Sequence, residues 1–224
     1  MTRQGAKRAE DHLRGADPML GTVIDEVLRK GGIRPSLPPD PGLSTDPAMP
    51  TDCYGVLIRG IASQNISAFA SRAIYRKLTE RFGGQPPSPQ QILDDDPDLL
   101  RLAAGLSHAK TASLRSLAEH ILSGELELDR LHDQPDEDVV AQLSAVKGIG
   151  PWTADMFLIW HLHRPDVLPV GDLEIRQAVE RLYGLAGLPG RAELEALAEP
   201  WRPYRTLACL YLWRMAESTP GIPT

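Results

Sequence analysis

Apolar residues recur every three or four positions along most of the chain. The strict apolar–polar alternation of a half-buried strand does not appear, and β-branched residues are scattered. The pattern predicts helices over residues 17–30, 53–62, 67–82, 88–93, 97–104, 107–122, 135–147, 151–163, 173–183, 193–199 and 206–215, and no strand, so the fold class is all-α. Within residues 67–82, Phe69, Ala73, Tyr75 and Leu78 fall at helical spacing. Gly31-Gly32 stops the first helix, and residues 35–50, rich in Pro, Asp and Ser, read as a loop. The expected organisation is an N-terminal segment, residues 1–50, packing on a core of residues 51–224.

The stretch from Leu143 to Val179 carries the strongest signal. A turn, Lys147-Gly148-Ile149-Gly150, separates two helical patterns, so residues 143–163 form a helical hairpin. Pro135 suits a first helical position, and the acids after it favour the positive end of the dipole. Lys147 stands where a helix C-terminus favours a cation, Gly148 supplies the left-handed residue, and Pro151 opens the next helix. Glycines without side chains let backbone N–H groups approach a phosphate at a helix N-terminus. The alternative is a plain packing joint, because a lone G-x-G is weak. Asp172 lies twenty-two residues beyond Gly150, at the head of another helix. It is expected to be the N-cap, a position that also holds a carboxylate in place for a second role.

Charge and cysteines narrow the picture. The net charge is −6 and the pI about 5.5, superficially wrong for a nucleic-acid partner. Residues 90–140, however, hold twelve acids against four bases, leaving a slight positive excess elsewhere. That segment reads as a solvated face, with modest affinity and a shallow salt slope for any DNA bound elsewhere. Cys53 and Cys209 are too few and too far apart to form a metal or iron–sulfur site alone, and a reduced thiol state is the simpler reading. No eighteen-residue apolar run exists and the N-terminus has no signal-peptide core, so no membrane association and a cytoplasmic location are expected.

L-x-x-x-K-G-I-G-P-W-T-A-D-M-F followed by L-P-x-G-D-L resembles the helix-hairpin-helix/Gly-Pro-Asp (HhH-GPD) DNA glycosylases, AlkA-type or 3-methyladenine DNA glycosylase II branch. Supporting pieces are I-A-S-Q-N-I-S, G-L-S-x-x-K and W-R-P-Y-R…Y-L-W-R, so the likeness extends from Pro47 to Met215. The resemblance implies a two-lobed helical fold with the active-site cleft between the lobes, in a short form without an N-terminal β domain. It implies Asp172 as the catalytic carboxylate and Trp152, Met156 and Trp213 as the base pocket. DNA contacts would come from Lys147, Gly148, Ile149, Gly150 and Thr153 at the hairpin, and from Gln64 and Asn65, which enter the duplex. Asn65 matches the wedge and Gln64 its neighbour; a polar helix cap is the alternative there. Trp201, Tyr204, Tyr211 and Trp213 form a dense aromatic group, either core or a stacking wall. Lys110 is read as solvent-facing, and His161 and His163 as helix-end residues rather than a metal pair.

Bifunctional members of this superfamily carry a lysine two residues after the last hairpin glycine; here that residue is Trp152. The expectation is therefore a monofunctional DNA glycosylase of base excision repair, without lyase activity, removing alkylated bases such as 3-methyladenine and 7-methylguanine. Its partner would be damaged double-stranded DNA, the protein a monomer, nucleoid-associated in a bacterial cell. No cofactor is required; Na+ or K+ on the carbonyls of Ser144, Val146 and Ile149 is compatible with the hairpin. The alternatives are a glycosylase for deaminated or oxidised bases and a non-catalytic damaged-DNA-binding module.

Overall fold

Helix starts follow the capping residues displayed in the sequence. Asp17 opens α2 (Pro18–Arg29), Asp52 opens α3 (Cys53–Ser63) and Ser67 opens α4 (Ala68–Arg81). Ser88, Asp96 and Ser107 cap α5 (Pro89–Asp94), α6 (Pro97–Ala104) and α7 (His108–Leu122), each side chain accepting backbone N–H bonds of the first turn. The other helices are α1 (Arg3–Ala16), α8 (Asp136–Ala145), α9 (Pro151–Trp160), α10 (Leu173–Tyr183), α11 (Arg191–Ala198) and α12 (Arg205–Glu217). The computed structural model describes residues 3–30, 34–35 and 50–217, and no strand occurs among them. Gly31-Gly32 and most of the Pro-rich loop lie outside the described residues.

The chain divides into two compact units, one of Met1–Thr45 with Leu158–Thr224 and one of Asp46–Phe157. In the first, α2 packs against α1, α10 and α12. Leu13, Leu20, Ile24, Ile175, Val179, Leu207 and Tyr211 share its core. Each large apolar side chain buried there contributes ~1.5–3 kcal/mol. Two acids pin the N-terminal helices. Asp17 accepts from Trp201 Nε1 at 2.7 Å and from the Tyr183 hydroxyl; buried Glu10 accepts from Tyr211 Oη at 2.6 Å. The apolar pattern does not predict helix α1, because its buried stripe is built from two alanines and one leucine, Ala6, Ala9 and Leu13.

In the second unit α7 lies against α3, α5 and α6, while α4 packs on α3 and α6. Leu57, Ile58, Ile61, Leu78, Ile92, Leu100, Leu114 and Leu117 are buried. Arg115 donates to the carbonyls of Ile92, Leu93 and Asp95, closing the end of α5. Arg81 binds Asp95 and holds its carboxyl below the usual carboxylate range. The other acids of residues 90–140 are exposed, apart from half-buried Asp136. Two helix ends differ from expectation. Helix α8 stops at Ala145, before Lys147, and α9 stops at Trp160 rather than near His163, whose φ is 56°. A 3-10 turn, Leu128–Asp133, fills a stretch with no predicted element.

Candidate functional site

The hairpin between α8 and α9 is built on its neighbours. Ile149 is buried as its apolar anchor, and its N–H bonds the Val146 carbonyl at 3.0 Å. Gly148 has φ 83°, and a Cβ there would run into Ser113 Oγ of α7. The Lys147 N–H donates to Ser116 Oγ, also of α7, at 3.1 Å. Gly150 differs: a Cβ would meet nothing within 4 Å. Gly148 is therefore required by the fold, whereas nothing in the protein demands the bare backbone of Gly150. Lys147, Gly148 and Gly150 are exposed at the turn, and half-buried Thr153 lies in the first turn of α9. A helix start of this kind presents N–H groups with no intrahelical partner, suited to an anion.

The link between α3 and α4 joins the hairpin directly. Gln64 Nε2 donates to the Gly148 carbonyl at 2.9 Å, across eighty-four residues of sequence. Asn65, next in the chain, is exposed with φ 56°, a left-handed conformation that Asn adopts more readily than most residues. Lys110 is not solvent-facing as expected. Its Nζ donates to the Ala62 carbonyl at 2.8 Å, closing the end of α3 just before the link, and desolvation lowers its pKa. The oxygens expected to hold a monovalent cation lie on this hairpin. The Ser144 hydroxyl is buried with no hydrogen-bond partner, and such an orphaned oxygen fits a cation-binding turn.

In the other unit, Asp172 caps α10. Its Oδ1 accepts from the Ile175 N–H at 2.9 Å and from Trp213 Nε1 at 3.2 Å, and the residue is 8% exposed. Trp213 stacks on Trp160, with centroids 6.0 Å apart and planes at 26°. The sequence motifs do not single out Trp160, although it follows Met156 by one turn of α9, as Met156 follows Trp152. Trp152 is 47% exposed and Trp160 45%, unusual for the largest apolar side chain. The rest of the aromatic group divides. Trp201 and Tyr211 are fully buried and bound to Asp17 and Glu10, which makes them core rather than a stacking wall. Tyr204 packs edge-on against His12.

The chain is similar to known proteins in sequence and in fold. A family model described as "HhH-GPD superfamily base excision DNA repair protein" matches residues 58–203. DNA-3-methyladenine glycosylase 1 of Schizosaccharomyces pombe is 35% identical, over 94% of this chain and 87% of its own. The alkylbase DNA glycosidase-like protein mag2 of the same yeast is 30% identical, over 94% of each chain. Among solved structures, S. pombe 3-methyladenine DNA glycosylase (Mag1) in complex with abasic DNA superposes with a TM-score of 0.73 at 33% identity, covering 96% of this chain and all of that one. A DNA-3-methyladenine glycosidase from Bacillus halodurans gives 0.75 at 32% identity, covering 94% and 89%. This chain belongs to the HhH-GPD superfamily of base excision DNA repair proteins.

Proposed function

We propose that the protein is a monofunctional DNA glycosylase that hydrolyses the C1′–N bond of alkylated bases flipped out of duplex DNA. The observation that carries the reading is the Asp172 carboxylate, nearly enclosed and fixed by two N–H donors on one oxygen. In glycoside hydrolysis the sugar becomes cation-like in the transition state, and a carboxylate already in place lowers the energy of that charge. As the C1′–N bond breaks, its electron pair leaves with the base. Water then adds at C1′ and loses a proton. Alkylated purines such as 3-methyladenine and 7-methylguanine are cationic, so they leave as neutral bases without a strong general acid. The electron-rich indole faces of the stacked pair Trp160 and Trp213 favour such a cation, and the family resemblance adds Trp152 and the adaptable Met156 as base-pocket residues. Trp152 stands where bifunctional members carry lysine, which supports hydrolysis without strand cleavage.

The hairpin at Lys147–Gly150, with Thr153, binds a phosphate; Gln64 and Asn65 enter the stack as the base leaves it. Na+ or K+ on the Ser144, Val146 and Ile149 carbonyls would fix the turn, and the chemistry requires no other group. The protein acts as a monomer on damaged double-stranded DNA, on the nucleoid in a bacterial cell. Chromatography of bases released from methylated duplex, with wild type beside Asp172→Asn, tests the reading. Free 3-methyladenine or 7-methylguanine from wild type alone, with abasic sites left uncut, is expected. Equal release by both proteins overturns the role of Asp172, and cut abasic sites overturn the monofunctional assignment.

A further inference from the structure

A groove of about 800 Å³ runs along α4 in the unit that carries the hairpin. Among the described residues its walls include Arg59, Arg72, Arg76 and the acid Asp52, in a chain whose net charge is −6. Asp52 is engaged as the α3 cap, accepting the Gly55 N–H at 2.8 Å. Arg59 lies over the Tyr75 ring, 5.5 Å from its centroid, so one guanidinium is already oriented. Phe69 lines the same groove and is 82% exposed. Phe69, Arg72 and Arg76 stand at i, i+3 and i+7 and form one stripe of the helix. The stripe begins four residues after Asn65, and Gln64 beside it is bonded to the hairpin.

We propose that the α4 groove is a second nucleic-acid subsite, taking a short segment of one DNA strand beside the Gln64-Asn65 link. Phosphates are bound by Arg72 and Arg76, and a base stacks on Phe69. The guanidinium fork matches phosphate geometry. Four residues of helix advance about 6 Å, a step comparable to that between neighbouring phosphates of one strand. An aromatic ring beside a cationic track is the arrangement by which proteins hold unpaired strands. The Arg76–Glu80 pair, 3.8 Å apart and exposed, leaves Arg76 available to a phosphate. The proposal rests on the DNA-repair reading above and extends it beyond the hairpin.

The test measures the anisotropy of a labelled duplex and of labelled oligodeoxythymidylate across a salt series. The proteins are wild type, Arg72→Ala/Arg76→Ala, Arg72→Lys/Arg76→Lys, Phe69→Ala and, as control, Lys77→Ala, which removes a charge from α4 outside the groove. Circular dichroism checks each fold; all four positions are exposed. Removing one cation that pairs with a phosphate should flatten the slope of log K against log salt by about 0.7–0.9. The double Ala variant should therefore flatten it by about 1.5, while the double Lys variant retains it. Phe69→Ala should weaken oligodeoxythymidylate binding about 10-fold with the slope unchanged. A double Ala slope equal to wild type, or an equal flattening in Lys77→Ala, overturns the proposal. So does groove-dependent binding of labelled polyglutamate without any for DNA, which would assign the site to an acidic peptide. Base release assayed in parallel separates the two readings. Release with no groove effect removes the subsite alone; a groove effect with no release removes the glycosylase reading alone; absence of DNA binding by wild type removes both.

Discussion

Trp213 Nε1 donates to Asp172 Oδ1, the same oxygen that accepts the Ile175 N–H. The cap of α10 and the indole of α12 thus converge on one carboxylate oxygen and fix its direction. Asn is as good an N-cap as Asp, so Asp172→Asn should keep the fold and the melting temperature. It removes the negative charge, and single-turnover base release should fall by about 10²–10³-fold, as when another preorganised electrostatic group is lost. Asp172→Ala should also lose ~1 kcal/mol of stability with the cap. An Asn variant releasing base at the wild-type rate would remove Asp172 from the chemistry.

Trp213→Phe keeps a ring against Trp160 but deletes the N–H together with the five-membered ring of the indole. Loss of a hydrogen bond to a charged group costs ~1.5–3 kcal/mol, so the melting temperature should fall, and base release by the folded variant should slow by roughly 10-fold or more because Asp172 loses a fixing donor. Trp160→Ala deletes the stacked ring. Its expected effect is on preference: discrimination of a cationic 7-methylguanine over a neutral lesion should narrow by about 5-fold, the size of a partly exposed cation–π contact. If the ratio of the two release rates does not move, Trp160 is packing alone.

The two hairpin glycines should separate under mutation. Gly148→Ala places a Cβ against Ser113 Oγ at φ 83°, so denaturant melts should show a loss of at least ~1 kcal/mol. Gly150→Val has open space and no left-handed φ. It should melt like wild type and bind duplex more weakly, because the branched side chain blocks the backbone. Unchanged affinity in Gly150→Val would place phosphate binding elsewhere.

Local signals make most of the helices legible. Asp or Ser caps and Pro openers set the starts of α2 to α7 where the pattern predicts them, and Asp172 caps α10 as expected. Helix α1 escapes because alanine faces carry little hydrophobic contrast. The solvent-facing reading of Lys110 fails because its partner is a backbone carbonyl forty-eight residues away, which no side-chain pattern reveals. Phe69 sits on the apolar period of α4 yet is exposed; periodicity does not tell a core position from a binding one. Trp201 and Tyr211 become core residues through Asp17 and Glu10, acids whose burial depends on packing between opposite ends of the chain. Trp160 is displayed in the sequence, one turn past Met156, and only its stacking on Trp213 distinguishes it.

The N-terminal acids carry stability. Asp17 accepts from Trp201 Nε1, the Tyr183 hydroxyl and the Met19 and Leu20 amides. Asp17→Ala orphans buried donors and a helix cap together, at a cost of ~3 kcal/mol or more, visible as a large fall in melting temperature. Burial, then bonding to Asp17 and Glu10, raises the pKa of Tyr183 and Tyr211 above the usual tyrosine value. Their contribution is fully present below the unfolded tyrosine pKa of about 10 and is lost as pH rises toward the folded values. Stability should therefore fall above about pH 10, and Tyr183→Phe/Tyr211→Phe should show a shallower alkaline decline. An identical decline in the double variant would assign it to other groups.

The hydrogen bond from Gln64 to the Gly148 carbonyl makes the α3–α4 link and the hairpin turn one mechanical piece. Gln64→Ala cuts that tie without touching the core, so fold and stability should hold while flipping suffers. Asn65 needs separate treatment because of its φ of 56°. Ala or Leu there costs ~1 kcal/mol of backbone strain, which Gly avoids, so Asn65→Gly isolates the side chain from the conformation. On a lesion in a fully paired duplex, Gln64→Ala and Asn65→Gly should each release base more slowly than wild type. With the same lesion opposite an abasic site the base is already unpaired and extrusion costs less, so both variants should recover toward the wild-type rate. A defect that persists on the unpaired substrate would move these residues from base extrusion to the chemical step, and no defect on either substrate would remove them from the DNA interface.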